Sequence, residues 1–233
     1  MRAAGRTGIT TPAGEGAKAV MRIRICDIHT HLGHPITRPL WGTMIKATKR
    51  VVLSRIRAVN PAGRPVAGAR ISARRVRRSA LRILSENVLC SIATVGQAHR
   101  AHINTAYFAY SDRFELVFLA HPEAGHCRNL SRDGSAAVAV FASRQKWTGP
   151  DRGVQLFGQC RQVTGRHAQV AERLYAQRFR AYARWKTALR AESVGTEYRF
   201  YRFVASALKI LDERQFGDGV FIKVIFGRPS RAA

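Results

Sequence analysis

No apolar run in the sequence approaches the roughly 18–20 residues that a membrane-spanning helix needs, which argues against an integral membrane protein. Cysteine is sparse. Cys26, Cys90, Cys127 and Cys160 are far apart and form no C-x-x-C, so a disulfide scaffold or zinc ribbon is excluded and reduced thiols are expected. The N-terminal stretch has no uninterrupted apolar core of the signal-peptide kind, so the expected compartment is the cytoplasm. Acidic residues are few: 14 Asp and Glu stand against 40 Lys and Arg, a formal net charge of +26 over 233 residues. Such an excess attracts phosphates, nucleic acid or anionic lipid.

What is present is a globular composition. A hydrophobic content of 46% excludes disorder throughout. The length suits one domain or two small ones, with enough chain for a proper core.

The charge divides the chain. Residues 1–78 hold 17 basic and two acidic groups, Glu15 and Asp27, and are rich in Gly, Pro and Ala. We read residues 1–70 as a basic extension of low order and residues 71–233 as one domain. Within the basic segment Trp41, Met44, Ile45, Val52, Ile56 and Val59 fall near helical spacing among lysines and arginines. A basic amphipathic helix at an anionic lipid surface is one reading, and an Arg-rich solvated tail is the other. Cys26-Asp27-Ile28-His29-Thr30-His31 looks like the H-x-H strand of metal-dependent amidohydrolases, because alternation puts both histidines on one face. Those enzymes need a barrel of about 250 residues with further ligands downstream. The chain after His31 is too short and lacks alternating strand and helix, so no metal site is assigned.

The second part has a readable order. Arg75–Glu86 is helical, with Val76, Ala80, Ile83 and Leu84 on one face. Strands follow at Asn87–Val95, His102–Tyr110 and Glu115–Ala120. A short helix is expected at His126–Leu130, a buried strand at Ala136–Phe141, and a long strand at Gly153–Val163 whose Gly158 suits a bulge or a close approach. Arg166–Ala191 reads as the longest helix, with a stripe of Ala171, Leu174, Tyr175, Tyr182 and Trp185 that suits core or a dimer interface. Strands return at Tyr198–Ala205, Leu208–Leu211 and Val220–Phe226. Strands that cluster without βαβ alternation point to a mainly β chain with helices (α+β), an antiparallel barrel with appended helices.

Three stretches carry a family resemblance: Phe118–Phe141 (FLAHPEAGHCRNLSRDGSAAVAVF), Asp151–Val163 (DRGVQLFGQCRQV) and Phe200–Val224. In order and spacing they resemble the pyridoxamine-phosphate-oxidase-like, FMN-binding split β-barrels over about residues 79–227. The resemblance implies a flavin (FMN)-dependent oxidoreductase, usually a homodimer with cofactor sites between subunits, acting on a small-molecule substrate or electron acceptor. Other branches of the fold bind deazaflavin or haem, so a non-catalytic cofactor-binding protein is the alternative. A nucleic-acid-binding protein acting through residues 1–78 is a third reading.

The resemblance also names positions. In the family, Arg and Lys in the turn before the short helix hold the phosphate; here Gly125 and His126 stand there, with Arg128 close by. A protonated His126 with Arg128, or Arg100 on the neighbouring turn, is the expected replacement. The ring system would lie against His102–Tyr107, where Asn104 or Thr105 is a polar contact, depending on which face points to the ligand. On the R-G-V strand, Gly153 would let the ring approach and Gln155 would offer an amide. Arg152 reads alternatively as a barrel-mouth salt-bridge residue. No acid–base pair is assigned, because the flavin carries the chemistry.

Overall fold

The computed structural model describes residues 51–68, 71–191 and 198–227. Residues 1–50, with the His29–His31 stretch and Trp41, Met44 and Ile45, lie outside them.

Eight strands form one antiparallel sheet: β1 (Val52–Val59), β2 (Leu89–Val95), β3 (Ala101–Tyr110), β4 (Glu115–Ala120), β5 (Ser135–Phe141), β6 (Arg152–Gln162), β7 (Arg199–Asp212) and β8 (Phe221–Gly227). Their order is β1-β8-β7-β4-β3-β2-β5-β6, and β6 also pairs with β7. That last pairing closes six strands into a barrel. Strand β7 is the hinge of the arrangement. Along one edge it meets β6 from Tyr201 to Asp212. Along the other it meets β4 through Arg199–Val204 and then β8 through Ala207–Leu211. The barrel splits where β7 changes partner, and β8 and β1 continue the sheet outward. This is a split β-barrel.

The inward faces bury Ile92, Phe108, Phe118, Leu156, Phe203, Leu208 and Ile210 almost completely. Helix α1 (Ala73–Glu86) adds Val76, Ala80, Ile83 and Leu84 to the same core, the face that its 3.6-residue period marks out. Ser72 caps it, its hydroxyl accepting from the Arg75 amide. At this apolar content the burial of such side chains is the main stabilising force, about 1.5–3 kcal/mol for each large one.

Gly158 does what its place in the strand suggests. The β6–β7 register slips between Phe157 and Gly158, with Ser206 the extra residue on β7. A Cβ on Gly158 would stand 2.0 Å from the Val204 carbonyl oxygen. The two backbones close the barrel at a distance only glycine permits.

Three expectations are corrected. The helix expected over Arg166–Ala191 is two, α3 (Gly165–Arg178) and α4 (Tyr182–Ala191). In one straight helix Tyr175 and Tyr182 would stand about 10 Å apart along the axis. The break lets their rings approach to 5.4 Å and lets both pack on Phe200 of β7. The stripe residues thus form a second apolar layer outside the barrel, with Ala109 and Val117. The two strands expected at Tyr198–Ala205 and Leu208–Leu211 are one, β7; the apparent gap is the bulge residue Ser206, whose hydroxyl donates to the Phe157 carbonyl at 3.1 Å. Finally, Val52, Ile56 and Val59 lie on a strand and not a helix. Strand β1 pairs with β8 and buries Leu53, Ala58 and Val59, with a bulge at Arg55, whose φ is 46°. The sheet therefore begins inside the stretch read as an extension up to residue 70. It is part of a unit that starts at Thr48.

Candidate functional site

After β4 the chain turns through His121–Ala124 into α2 (Gly125–Arg132). Its N-cap is Ala124, which has no side-chain oxygen to accept from the first-turn amides. Those N–H groups are therefore left without a side-chain cap, at the positive end of the helix dipole. His102 of β3 leans over this turn: a Cβ on Gly125 would lie 3.2 Å from its Nε2. Absence of a side chain at Gly125 leaves a cradle between the imidazole and the helix end.

His126 is next, and it is only 6% exposed. It packs between Phe118 and His102, ring centroids 6.2 and 6.4 Å away. Burial pushes its pKa down, and His102 beside it pushes in the same direction. Its Nε2 is buried without a hydrogen-bond partner. Burial therefore works against the protonated form expected of His126. Arg128 points to the outside of α2, where its guanidinium donates to the Glu123 carbonyl at 2.6 Å and approaches the Glu123 carboxylate at 3.7 Å.

Register decides the faces of β3. Asn104 stands opposite Ile92, which is buried in the barrel, so Asn104 faces inward with His102. Thr105 stands opposite Ser91 on the outward face and is exposed. Strand β4 joins β3 only from Phe108 onward. Among the described residues no strand pairs with that edge of Ala101–Tyr107, which leaves its backbone donors and acceptors open to a ligand.

On β6, Gly153 and Gln155 share the outward face. Gly153 stands opposite Phe141 and Leu211, Gln155 opposite Ala139 and Lys209. Arg152 reaches the Glu86 carboxylate at 2.9 Å and the buried Asp212 carboxylate at 3.4 Å. Ser79 of α1 donates to the same Asp212 at 2.5 Å. The salt-bridge reading of Arg152 holds, and the network ties α1 to the barrel mouth.

The six named positions thus fall into three places. Asn104 and His126 look into the barrel end beside α2. Thr105, Gly153 and Gln155 lie on the outer face, with Thr105 and Gln155 in one cross-strand row three strand spacings apart, about 14 Å. Arg128 is on the surface of α2. The sequence reading missed His102 as a site residue, and with it Thr94 and Asn129. The last two are buried together behind His102, the Asn129 amide donating to Thr94 Oγ1 at 3.1 Å. The outer face also carries a row that crosses six strands, Ile103, Ala93, Ala137, Phe157, Ala207 and Ile225. Its large members are open to solvent, Ile103 at 70%, Phe157 at 42% and Ile225 at 48%.

Other chemistry is limited. Cys90, Cys127 and Cys160 are buried free thiols, and desolvation pushes Cys90 up to about 12, so they are poor nucleophiles. Among the described residues no group of three or more His, Cys, Asp or Glu is placed to hold a metal ion, and no helix is long and apolar enough to cross a membrane.

Comparison with known proteins agrees with this architecture. A search of curated proteins finds no match. Many solved structures match. A haem-binding protein from Mycobacterium smegmatis superposes with a TM-score of 0.52 at 16% identity, over 67% of this chain and 59% of that one. A conserved hypothetical protein from Mycobacterium tuberculosis gives 0.50 at 15% identity, over 73% and 98%. A Clostridium acetobutylicum protein related to general stress protein 26 of Bacillus subtilis, of the pyridoxine phosphate oxidase family, gives 0.50 at 10% identity, over 66% and 96%. At these identities the likeness is one of fold. The family model of pyridoxamine 5'-phosphate oxidase, however, matches residues 77–211, from α1 to the end of β7 and more than half of the sequence. With the closed split barrel lying over that same span, the chain belongs to the pyridoxamine 5'-phosphate oxidase family.

Proposed function

We propose that the protein binds FMN and works as an FMN-dependent oxidoreductase on a small-molecule substrate or electron acceptor in the cytoplasm. The observation that carries this reading is the uncapped N-terminus of α2 beneath His102. A flavin phosphate is a dianion, and the first-turn amides of α2 supply donors and a positive dipole end for it. His102 adds a donor. The Gly125 cradle gives the group room, and the open edge of β3 beside it offers backbone donors and acceptors to a ring. The donor set fits the group, with backbone amides and histidine in place of long cations. Asn104 faces the same barrel end and serves as the polar contact on the ring side.

Bound flavin would supply hydride transfer. The chain's own part is to hold the phosphate, orient the ring and keep water from it. His126, neutral and buried against Phe118, packs behind the helix turn instead of meeting the phosphate as a cation.

Thr105, Gly153 and Gln155 enter through a second copy. The exposed apolar row on the outer face suits a homodimer, which would place one copy's outer residues against the other's site. Reconstitution with FMN, anaerobic photoreduction and mixing with candidate acceptors tests the activity. Reoxidation faster than for free flavin supports it, and reduced flavin that no acceptor reoxidises contradicts it.

The second reading is a non-catalytic haem-binding protein, with deazaflavin as a further variant of the cofactor. The adjacent imidazoles of His102 and His126 favour haem, because neutral histidine is a common iron ligand. A Soret band that appears on haem addition and is lost in His102→Ala supports that reading over flavin.

A further inference from the structure

Helix α1 carries five arginines, and two of them serve the fold. Arg75 donates to the Gln215 carbonyl, and Arg77 donates to the Val51 and Asp112 carbonyls. Arg74, Arg78 and Arg82 are different. They recur every four residues, are exposed, and form one ridge opposite the buried Val76, Ala80, Ile83 and Leu84. Successive members stand about 6 Å apart along the axis. Among the described residues no carboxylate pairs with any of the three. Glu86, the one acid of α1, is held by Arg152 at 2.9 Å. Like charges at this spacing destabilise a helix, and Arg74 in the first turn also meets the positive end of the dipole. Among the described residues no contact of the ridge offsets that repulsion.

A second feature stands beside the helix. Trp147, in the loop between β5 and β6, is 99% exposed, and Arg144 and Lys146 near it are exposed too. So solvated an indole adds nothing to the packing of the chain. The loop is anchored next to α1. Gln145 accepts from the Arg152 amide at 2.6 Å, and the Arg152 guanidinium reaches Glu86 in the last turn of the helix. A row of cations with an aromatic ring beside it holds the parts of a single-strand binding surface: guanidiniums follow the phosphates and the ring takes a base. An anionic membrane fits less well. The apolar face of α1 is buried in the barrel core, so none is left to enter lipid.

We propose that the outer ridge of α1 and the Trp147 loop bind single-stranded nucleic acid. Backbone phosphates lie along Arg74, Arg78 and Arg82, and an unpaired base stacks on Trp147. The surface shares no residue with the flavin reading and stands whether or not that reading holds.

Fluorescence anisotropy of labelled oligothymidylate with the full chain, read at several salt concentrations, tests it. Wild type binds saturably. The triple variant Arg74→Gln, Arg78→Gln, Arg82→Gln binds about tenfold more weakly or worse, and its slope of log K against log salt is shallower by about two, as three lost phosphate contacts require. A second triple variant, Arg166→Gln, Arg173→Gln, Arg184→Gln, removes the same charge from exposed positions of α3 and α4, and its affinity changes by about twofold or less. Trp147→Ala weakens binding about fivefold or more and leaves the salt slope unchanged. Arg78→Glu turns two repelling pairs into attracting ones, so it melts higher than wild type without oligonucleotide and binds the oligonucleotide more weakly. Absence of saturable binding, or equal losses in the two triple variants, overturns the surface. Wild-type affinity in Trp147→Ala, or tighter binding of a duplex of the same length, overturns the stacking role. Sedimentation with phosphatidylserine vesicles that the α1 triple variant abolishes, without oligothymidylate binding, overturns the nucleic-acid assignment in favour of lipid. A lower melting temperature for Arg78→Glu overturns the repulsion argument.

Discussion

Gly158→Ala is expected to damage the barrel where it closes. The added Cβ would lie 2.0 Å from the Val204 carbonyl oxygen, 2.9 Å from its carbonyl carbon and 2.9 Å from Ala205 Cα. All three are backbone atoms of β7, so no side chain can swing away. Relief requires β6 and β7 to part by more than an ångström at the point where the bulge already strains their register. Overpacking of a core costs typically 1–3 kcal/mol, and here about one further ladder hydrogen bond is lost at ~1 kcal/mol. The expected loss is about 3 kcal/mol, which for a domain of this size lowers Tm by roughly 6–12 °C. Urea unfolding followed by circular dichroism gives the midpoint and slope directly. Gly153→Ala is the control. Its Cβ would meet Phe141 Cβ at an ordinary 3.4 Å on a half-open face, so about 0.5 kcal/mol or less is expected. A loss below about 1 kcal/mol in Gly158→Ala, or equal losses in the two variants, refutes the close-approach argument.

Truncations test where the folded unit begins: removal of residues 1–47 should leave a cooperative unfolding transition intact, whereas removal of 1–70 strips β1 from β8 and exposes the β8 edge, with lower Tm and aggregation as the readouts. His126 makes stability depend on pH. Its folded pKa lies below the unfolded value near 6.5, so its contribution is full above about pH 6.5 and falls as pH drops from there toward the folded value. His126→Leu should flatten that part of the curve of Tm against pH, and an unchanged curve contradicts the buried neutral assignment. Arg178 of α3 donates to the Leu84 and Asn87 carbonyls and lies over the Phe108 and Tyr110 rings at 4.6 and 4.7 Å. Arg178→Met should cost about 2–3 kcal/mol by chemical denaturation, because hydrogen bonds from a charged donor are among the stronger ones.

The sequence is most readable where the signal is local. The face of α1 and the span Glu115–Ala120 of β4 are set by neighbouring residues, and both fall where the pattern puts them. The bulge at Gly158 was visible for the same reason: a glycine inside an alternating strand has few other uses. What could not be read depends on distant chain. The break between α3 and α4 carries no glycine or proline; it exists because Phe200 gathers Tyr175 and Tyr182. Strand β1 is a strand because β8 offers it an edge, and the Ser54 hydroxyl reaches the Ile225 carbonyl across 171 positions of sequence. At the site, alternation separates Asn104 from Thr105, but only the pairing with Ile92 and Ser91 says which looks inward. Burial of His126 beneath Phe118 is likewise tertiary, and it disfavours the charge expected of that residue.

The α2 N-terminus beneath His102 is the place proposed here for a flavin phosphate. Titration of the purified chain with FMN and with riboflavin, at one salt concentration and read by quenching of flavin fluorescence, tests it most directly. Saturable FMN binding in the micromolar range is expected, with riboflavin about tenfold weaker or more because it lacks the phosphate. In His102→Ala that difference should narrow. Equal affinity for the two flavins, or no saturation with FMN, would contradict it.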